Sequence, residues 1–258
     1  MAINNRPMET VRGTSKVLYD EAFFDTSGEE SLRSARIIVP LLMNLLNPRS
    51  VIDVGCAVGS WLKAFAENGV EDYLGIDGDY VDRGKLLIDS QRFRAMDLAH
   101  LTPVGRTSDL AVCLEVGEHL PTRVSPRLVE MLVATAPAVL FSAAIPGQGG
   151  TQHVNEQWPF FWQRLFSRHN YVRLDPIRRH ICFDSRVESY YRQNILLYVS
   201  QQSLEQSEKL QEEIKWADRV NVEILQMSVL AGFTSFSGLM KLLPGAAWRA
   251  IKNRFSVR

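Results

Sequence analysis

Residues able to bind a metal ion or to move a proton are clustered in the segment LEVGEHLP, residues 114–121. Glu115, Glu118 and His119 are spaced i, i+3 and i+4, so one helical turn would bring their side chains to the same side. Two carboxylates and an imidazole suit a divalent cation: Mn or Zn directly, and Mg when waters complete an octahedron. His153, which follows a later predicted strand, is a candidate fourth ligand. The spacing therefore predicts a metal site built from these four residues.

The same histidines also suit acid–base chemistry without a metal. His119 is the first candidate for a general base and His153 the second, because an imidazole can accept a proton near neutral pH. In this interpretation Glu118 lies on a solvated helix face and Glu115 lies near a bound ligand. Both interpretations stay open, because spacing alone does not show that the side chains converge.

A glycine-containing loop precedes this segment in VIDVGCAVGSW, residues 51–61, where a predicted buried strand leads into small residues and a helix. Gly55 and Gly59 allow the backbone to turn sharply and to approach a ligand closely. A dinucleotide-binding fingerprint needs glycine at three places, but Ala57 and Ser60 stand at the others, which argues against a nicotinamide or a flavin. A tight strand-to-helix turn without a ligand is the alternative.

Acidic residues follow the next two predicted strands. Asp77 in GIDGDYVD, residues 75–82, lies about twenty residues after the glycine loop, where an acid can accept hydrogen bonds from the hydroxyls of a ribose. A helix-capping role for Asp77 is the alternative, and Asp79 fits that role as well. Asp97 in AMDL follows what should be a further strand between those at 73–76 and 109–114, and it is a candidate partner for an adenine amino group. Three acids at successive strand ends favour a ligand site.

The elements that would position these residues alternate between strands and helices. Apolar residues from Ala35 to Leu45 recur at helical spacing and predict an amphipathic helix that ends near Asn47-Pro48. A later helix is predicted over 159–169, with Asn155 as its cap. Strands are predicted at 51–54, 73–76, 109–114, 138–143, 171–177 and 195–199. This alternation is typical of an α/β fold with a parallel sheet, and the last two strands can form an antiparallel pair at its edge.

The motifs VIDVGCAVGSW, GIDGDYVD, MDL and LEVGEHLP, in this order, resemble the class I S-adenosylmethionine-dependent methyltransferases over residues 30–200. The resemblance implies a Rossmann-like, seven-stranded, mostly parallel sheet with an antiparallel edge strand, helices on both faces and a C-terminal helical appendage. It also implies S-adenosylmethionine as the cofactor. At Ala57 the family more often has glycine. The residues implied to bind the cofactor are Asp53, Gly55 and Gly59 at its methionine end, Asp77 and Gly78 at the ribose, Asp97 and Leu98 at the adenine, and Leu114 beside them.

Two further likenesses narrow the expected function. Residues 139–158 and 190–199 resemble a bacterial subgroup associated with glycan and secondary-metabolite gene clusters. The pattern ExxEH is similar to that of metal-dependent O-methyltransferases, which include ubiquinone-biosynthesis enzymes and enzymes that methylate small-RNA 3′ ends. In those enzymes, the resemblance implies, Mg or Mn holds the acceptor hydroxyls and lowers their pKa. Arg178, Arg179 and Arg192 could bind a phosphate or carboxylate of the acceptor, or be solvated surface residues.

The expected domains are an N-terminal segment and helical cap at 1–48, a methyltransferase domain at 49–200, and a helical appendage with a basic amphipathic tail at 201–258. We expect an O-methyltransferase that acts on a sugar hydroxyl of a glycan, a lipid-linked saccharide or a glycosylated metabolite. One alternative is a nucleic-acid terminal 2′-O-methyltransferase, and another is a catalytically silent, methyltransferase-like binding protein.

Charge is distributed unevenly along a chain whose formal net charge is zero. Residues 1–223 hold 24 basic and 29 acidic residues, whereas 224–258 hold five basic residues and no acidic one. The acidic body disfavours nucleic acid as a partner, and the apolar, basic tail suits an anionic membrane surface. Packing on the domain or in an oligomer is the alternative for the tail. Three dispersed cysteines and the absence of a signal-like N-terminus predict a cytoplasmic protein, or one peripheral to the inner face of the membrane.

Overall fold

The computed structural model describes residues 21–217, so the predictions for 1–20 and for the tail 224–258 lie outside the described residues. A seven-stranded sheet forms the centre, with strand order β3-β2-β1-β4-β5-β7-β6. All neighbouring strands are parallel except β7, which is antiparallel to both β5 and β6. The strands are β1 Ser50–Val54, β2 Asp72–Asp77, β3 Phe93–Ala95, β4 Leu110–Leu114, β5 Ala138–Ser142, β6 Tyr171–Leu174 and β7 Leu196–Ser200.

Eight α-helices and several short 3₁₀ turns connect these strands within residues 21–217. The predicted first helix is confirmed, and it begins at Glu21, well before its apolar pattern becomes regular. It ends at Leu46 because Asn47 adopts a left-handed conformation and Pro48 follows. The helices are α1 Glu21–Leu46, α2 Ser60–Glu67, α3 Ser125–Thr135, α4 Pro159–Ser167, α5 Arg178–Ile181, α6 Ser189–Asn194, α7 Gln201–Gln206 and α8 Glu208–Ala217.

The hydrophobic core has two parts, one on each face of the sheet. Alternate residues of β1 face opposite sides, so Val51 packs with α1 and α2 while Ile52 packs with α3 and α4. Trp162 of α4 is buried against Gly117, where a Cβ would lie 2.6 Å from the indole ring. The predicted fold, a doubly covered and mostly parallel sheet with antiparallel pairing at one edge, is confirmed.

Between 21 and 217, none of the helices combines the length and apolar character that crossing a bilayer requires.

Candidate functional site

The carboxyl ends of the parallel strands border a cleft of about 1050 Å³. Chain order reverses between β1 and β4, and loops that diverge at such a point leave a crevice where ligands bind in open α/β sheets. All the residues predicted for the site line the cleft except Gly59: Asp53, Gly55, Asp77, Gly78, Asp97, Leu98, Leu114, Glu115, Glu118, His119 and His153. The wall is completed by Gly28, Glu30 and Ser31 of α1 and by Tyr190 and Tyr191 of α6.

The loop after β1 contains three residues in the left-handed region. Gly55 has φ 83°, Ala57 has φ 46° and Gly59 has φ 85°. A Cβ at Gly55 would lie 2.2 Å from Val116 Cγ2, and one at Gly59 would lie 2.9 Å from Ile88 Cγ1. Glycine is therefore required at both positions for the loop to turn and pack. Gly59 itself shapes the start of α2 and does not line the cleft.

Substitution of Gly55 with alanine is expected to lower the free energy of unfolding by about 3 kcal/mol, since it combines a strained φ with a clash against Val116. Gly69 is a matched control, because it has φ 90° but no atom within 4 Å of the point where a Cβ would lie. Gly69→Ala should cost only about 1 kcal/mol. Urea unfolding of the two variants measures the difference, and equal losses would contradict the packing role of Gly55.

Asp77 connects the glycine loop to the end of β2. Its carboxylate accepts hydrogen bonds from the backbone N–H of Ala57 at Oδ2 (2.7 Å) and of Gly78 at Oδ1 (2.7 Å), and from the hydroxyl of Tyr80 at Oδ1. The bond from Ala57 offsets the strain of a non-glycine residue at positive φ. The capping alternative is wrong, because the 3₁₀ turn Arg83–Lys85 is capped by Asp82.

Asp53 lies buried in the cleft near Asp77, with 3% of its surface exposed. Burial and the nearby charge of Asp77 raise the pKa of Asp53 well above its usual value. Burial also raises the pKa of Asp77, although its three hydrogen bonds oppose that rise. Two buried carboxylates at adjacent strand ends create a site that favours a positively charged ligand.

Asp97 caps the 3₁₀ turn Leu98–His100 at the rim of the cleft. It accepts a hydrogen bond from the N–H of Ala99 (2.8 Å), and its Oδ2 lies 2.8 Å from Nδ1 of His100. The hydrogen bond with His100, followed by that from Ala99, lowers the pKa of Asp97. Asp97 and the buried Leu98 both line the cleft, as predicted, and His100 is a partner that sequence reasoning missed.

Glu118, His119 and His153 converge on the cleft wall. One potential ligand atom from each lies within 4.8 Å of the others, and the two imidazole rings are 5.0 Å apart between centroids. His153 arrives from the loop after β5, where its Nδ1 lies 3.1 Å from Glu156 Oε1. A carboxylate in this position orients a histidine and leaves its other nitrogen available to a ligand.

The carboxylate of Glu118 is fully buried close to the carboxyl of Glu115, and no donor lies in good hydrogen-bond geometry to either of its oxygens. Such a group is costly unless it is protonated or faces a cation. Burial, followed by the charge of Glu115, raises the pKa of Glu118 well above its usual value. Burial and the neighbouring His153 lower the pKa of His119, so its imidazole is held neutral, as metal ligation requires. Three of the four predicted ligands therefore fit a divalent cation.

Glu115, the fourth predicted ligand, lies outside this group. The prediction assumed one helical turn from 115 to 119, but the turn begins only at Gly117 and Glu115 has φ 53°. The carboxylate accepts hydrogen bonds from Gln148 Nε2 (3.1 Å) and Asn194 Nδ2 (3.1 Å). Glu115 therefore lines the cleft beside the candidate metal ligands, held by two amides.

Several residues at the cleft carried no assigned role in the sequence. Asn194 of α6 also donates to Gln148 Oε1 (2.8 Å), which links α6 to the loop after β5. The hydroxyl of Tyr191 accepts a hydrogen bond from Trp61 Nε1 (3.2 Å) and lies 3.2 Å from Ser31 Oγ, so α1, α2 and α6 meet there. Tyr191 and Asn194 both belong to the segment 190–199. The resemblance of that segment to the bacterial subgroup was the only feature of the sequence that pointed to these two residues.

Asn155 does not cap α4, which begins after Trp158. It is buried instead, where its Nδ2 donates to the carbonyl of Gly117 (3.0 Å) and to Ser125 Oγ (3.0 Å). Its backbone N–H donates to the carbonyl of Glu118 (3.1 Å). Asn155 thus connects the loop after β5 to the turn that carries Glu118 and His119.

The arginines considered for anion binding lie away from the cleft. Arg178 is buried in an ion pair with Asp175 (2.6 Å), and Arg179 pairs with Glu213 (2.6 Å). Among the described residues, no arginine or lysine lines the cleft, whereas seven acidic residues do: Glu30, Asp53, Asp77, Asp79, Asp97, Glu115 and Glu118.

Comparison with solved structures identifies the same fold. Human N-acetylserotonin methyltransferase in complex with S-adenosylmethionine is 14% identical, with a TM-score of 0.51 over 69% of this chain and 55% of that chain. An O-methyltransferase family protein from Burkholderia thailandensis is 12% identical, with a TM-score of 0.52 over 70% and 60%. Streptomyces venezuelae DesVI is 14% identical, with a TM-score of 0.52 over 71% and 97%. At these identities the likeness establishes the fold alone.

A comparison of the sequence with curated proteins finds no match. A family model described as a methyltransferase domain matches residues 29–188, which include the glycine loop, the acidic strand ends and the Glu118-His119 turn. The matched residues span more than half of the chain and nearly the whole sheet. The chain therefore belongs to the methyltransferase-domain family, and its sheet has the Rossmann-like methyltransferase fold.

Proposed function

We propose that the enzyme transfers the methyl group of S-adenosylmethionine to a hydroxyl of an uncharged acceptor, in particular a sugar hydroxyl, with help from a divalent cation. The observation that supports this most directly is the carboxylate of Glu118, which is buried without a hydrogen-bond donor beside two imidazoles on the cleft wall. A buried carboxylate that faces neutral histidines has the donor chemistry for Mn or Mg.

Glu118, His119 and His153 would hold the cation, and Glu156 would keep the imidazole of His153 oriented. A bound divalent cation lowers the pKa of an alcohol, which is otherwise a poor nucleophile at neutral pH. Without a cation, His119 would accept the hydroxyl proton as general base, and His153 is the second candidate.

The chain's own contribution to the reaction is mainly alignment. Methyl transfer is an in-line displacement at a sulfonium, so its rate depends on how well donor and acceptor are positioned. The glycine loop and Asp53 would hold the methionine end of the cofactor, and Asp77 with Gly78 would bind the ribose. Asp97, Leu98 and Leu114 would enclose the adenine. The amide clamp of Gln148 and Asn194 keeps Glu115 fixed beside the acceptor side of the cleft.

The charge of the cleft supports an uncharged acceptor. Seven acidic side chains line it and, within residues 28–214, no lysine or arginine does, so a phosphate or a carboxylate would meet uncompensated negative charge. This arrangement disfavours the nucleic-acid alternative, since polynucleotide binding depends on contacts from lysine and arginine. The volume of about 1050 Å³ is at the upper end of ligand sites and leaves room for a sugar beside the cofactor.

A glycan or a glycosylated metabolite satisfies these requirements. A lipid-linked saccharide becomes the natural acceptor if the basic, apolar residues 224–258 associate with an anionic membrane surface. That association, and with it a location at the inner face of the membrane, is part of the proposal.

A turnover screen with the full chain tests the proposal. S-adenosylhomocysteine release would be measured with neutral sugars, lipid-linked saccharides, their phosphorylated counterparts and RNA, each with Mn or Mg and with a chelator. We expect turnover on a neutral hydroxyl, a loss of about 100-fold with chelator, and recovery when Mn is added. Turnover that is insensitive to chelator would remove the cation, and a preference for RNA would overturn the acceptor class. Absence of S-adenosylmethionine binding in calorimetry would favour a silent binding protein.

A further inference from the structure

The carboxylate of Asp77 is almost saturated with hydrogen bonds before any cofactor reaches it. An ionised carboxylate accepts about four hydrogen bonds. Three of them come from the N–H groups of Ala57 and Gly78 and from the hydroxyl of Tyr80. Only 4% of the surface of Asp77 is exposed, so little of the carboxylate is open to the cleft.

The ribose of the cofactor brings two hydroxyls to this acid in nucleotide-binding sheets. Two new donors and the three existing ones exceed what one carboxylate can accept. The two backbone donors cannot leave without unfolding the loop after β1 and the end of β2. Tyr80, in contrast, is 44% exposed, and rotation of its side chain would release Asp77.

The ring of Tyr80 also occupies space beside the acid. It lies against Gly78, where a Cβ would be 2.1 Å from Tyr80 Cε1. Gly78 and Tyr80 both line the cleft next to Asp77. The ring therefore lies beside Asp77 at the wall of the cleft.

We infer that the hydroxyl of Tyr80 competes with the cofactor ribose for Asp77, and that Tyr80 thereby sets the affinity of the enzyme for its cofactor. In the free enzyme Tyr80 satisfies the buried carboxylate. When the cofactor enters, one ribose hydroxyl replaces the phenol, and the Tyr80 side chain moves aside. This inference rests on the family's cofactor and does not depend on the acceptor or the metal.

Tyr80→Phe tests it, because the variant keeps the ring and removes only the competing hydroxyl. Isothermal titration calorimetry with S-adenosylhomocysteine at pH 8 should give about fivefold tighter binding than wild type, equivalent to one net hydrogen bond. The 2′,3′-dideoxy analogue of S-adenosylhomocysteine should bind both proteins equally, since it has no hydroxyls to place on Asp77. Tyr73→Phe, on β2 with Asp77 but outside the cleft-lining residues, is the matched control and should bind like wild type.

Unchanged or weaker binding of S-adenosylhomocysteine to Tyr80→Phe would overturn the inference, and so would an equal gain for the dideoxy analogue. Absence of binding to both proteins would also overturn it. Binding to the variant alone would support it in its strongest form. Because no acceptor or metal is present in these titrations, a wrong acceptor or metal in the proposed function would leave their outcome unchanged.

Discussion

Replacement of Asp53 with asparagine is expected to weaken S-adenosylmethionine binding about 100-fold and to raise the melting temperature of the ligand-free protein. Asp53 is buried beside Asp77, and the cofactor proposed to bind at this end of β1 carries a sulfonium and an ammonium group. An ionised Asp53 stabilises these positive charges when the cofactor is bound. In the free enzyme the same charge has no compensating cation, so removing it relieves a buried electrostatic cost.

The sign of the stability effect follows from the raised pKa of Asp53. A carboxyl that holds its proton more tightly in the folded than in the unfolded state stabilises the fold at pH below its unfolded pKa. That contribution is lost as pH rises from the unfolded pKa through the raised folded pKa. The fold therefore loses stability through Asp53 as pH rises towards 8. The melting-temperature gain of Asp53→Asn over wild type should be largest at pH 8 and should shrink as pH falls towards 4.

Calorimetry and thermal unfolding at a series of pH values measure both effects. The matched control is Asp72→Asn at the opposite end of β2, where the half-exposed carboxylate pairs with Arg106 (2.6 Å). Asp72→Asn should leave cofactor affinity unchanged and should not raise the melting temperature. Wild-type affinity in Asp53→Asn, or a fall in its melting temperature, would contradict the role assigned to this acid.

Replacement of His119 with alanine is expected to reduce methyl transfer at least about 1000-fold, within the range for losing a general base, while S-adenosylhomocysteine binding stays within twofold of wild type. His119 lies on the turn Gly117–His119, close to Glu118 and His153. Its imidazole is kept neutral by burial and by His153, which suits both proton transfer and metal ligation. Turnover of an acceptor found in the screen, measured beside calorimetry, tests this expectation.

Glu118→Gln distinguishes cation binding at this site from metal-free base catalysis by His119. If Glu118 holds a cation, the variant should lose both methyl transfer and Mn binding in calorimetry. If His119 acts only as a base, transfer should persist in the variant. In either case the ligand-free variant should melt at a higher temperature, because a buried carboxylate without hydrogen bonds is replaced by an uncharged amide.

His169→Ala, an exposed site after α4, serves as the control for His119→Ala. Wild-type turnover in His119→Ala would exclude His119 from the mechanism.

The sequence predicted the fold because its strands are short, apolar and regularly separated by amphipathic helices. In a parallel sheet the carboxyl ends of the strands meet at one edge, so the acids after β1, β2 and β3 had to share one cleft. The requirement for glycine at Gly55 and Gly59 could also be predicted from the sequence, because it arises from the backbone conformation of each residue, whose φ lies in the left-handed region. The resemblance carried by these motifs implied the class of cofactor.

Contacts between distant segments could not be predicted in this way. Glu115 was assigned to the metal site by helical spacing, but its conformation and a partner 79 residues away, Asn194, hold it outside that group. A short-range contact was also missed where the backbone turns after β2, since the hydroxyl of Tyr80 donates to Asp77 only three residues earlier. Spacing along the chain constrains only neighbours within one turn or one strand. The sequence alone therefore determined which edge of the sheet carries the candidate cofactor site, whereas tertiary packing decided which side chains at that edge line the cleft.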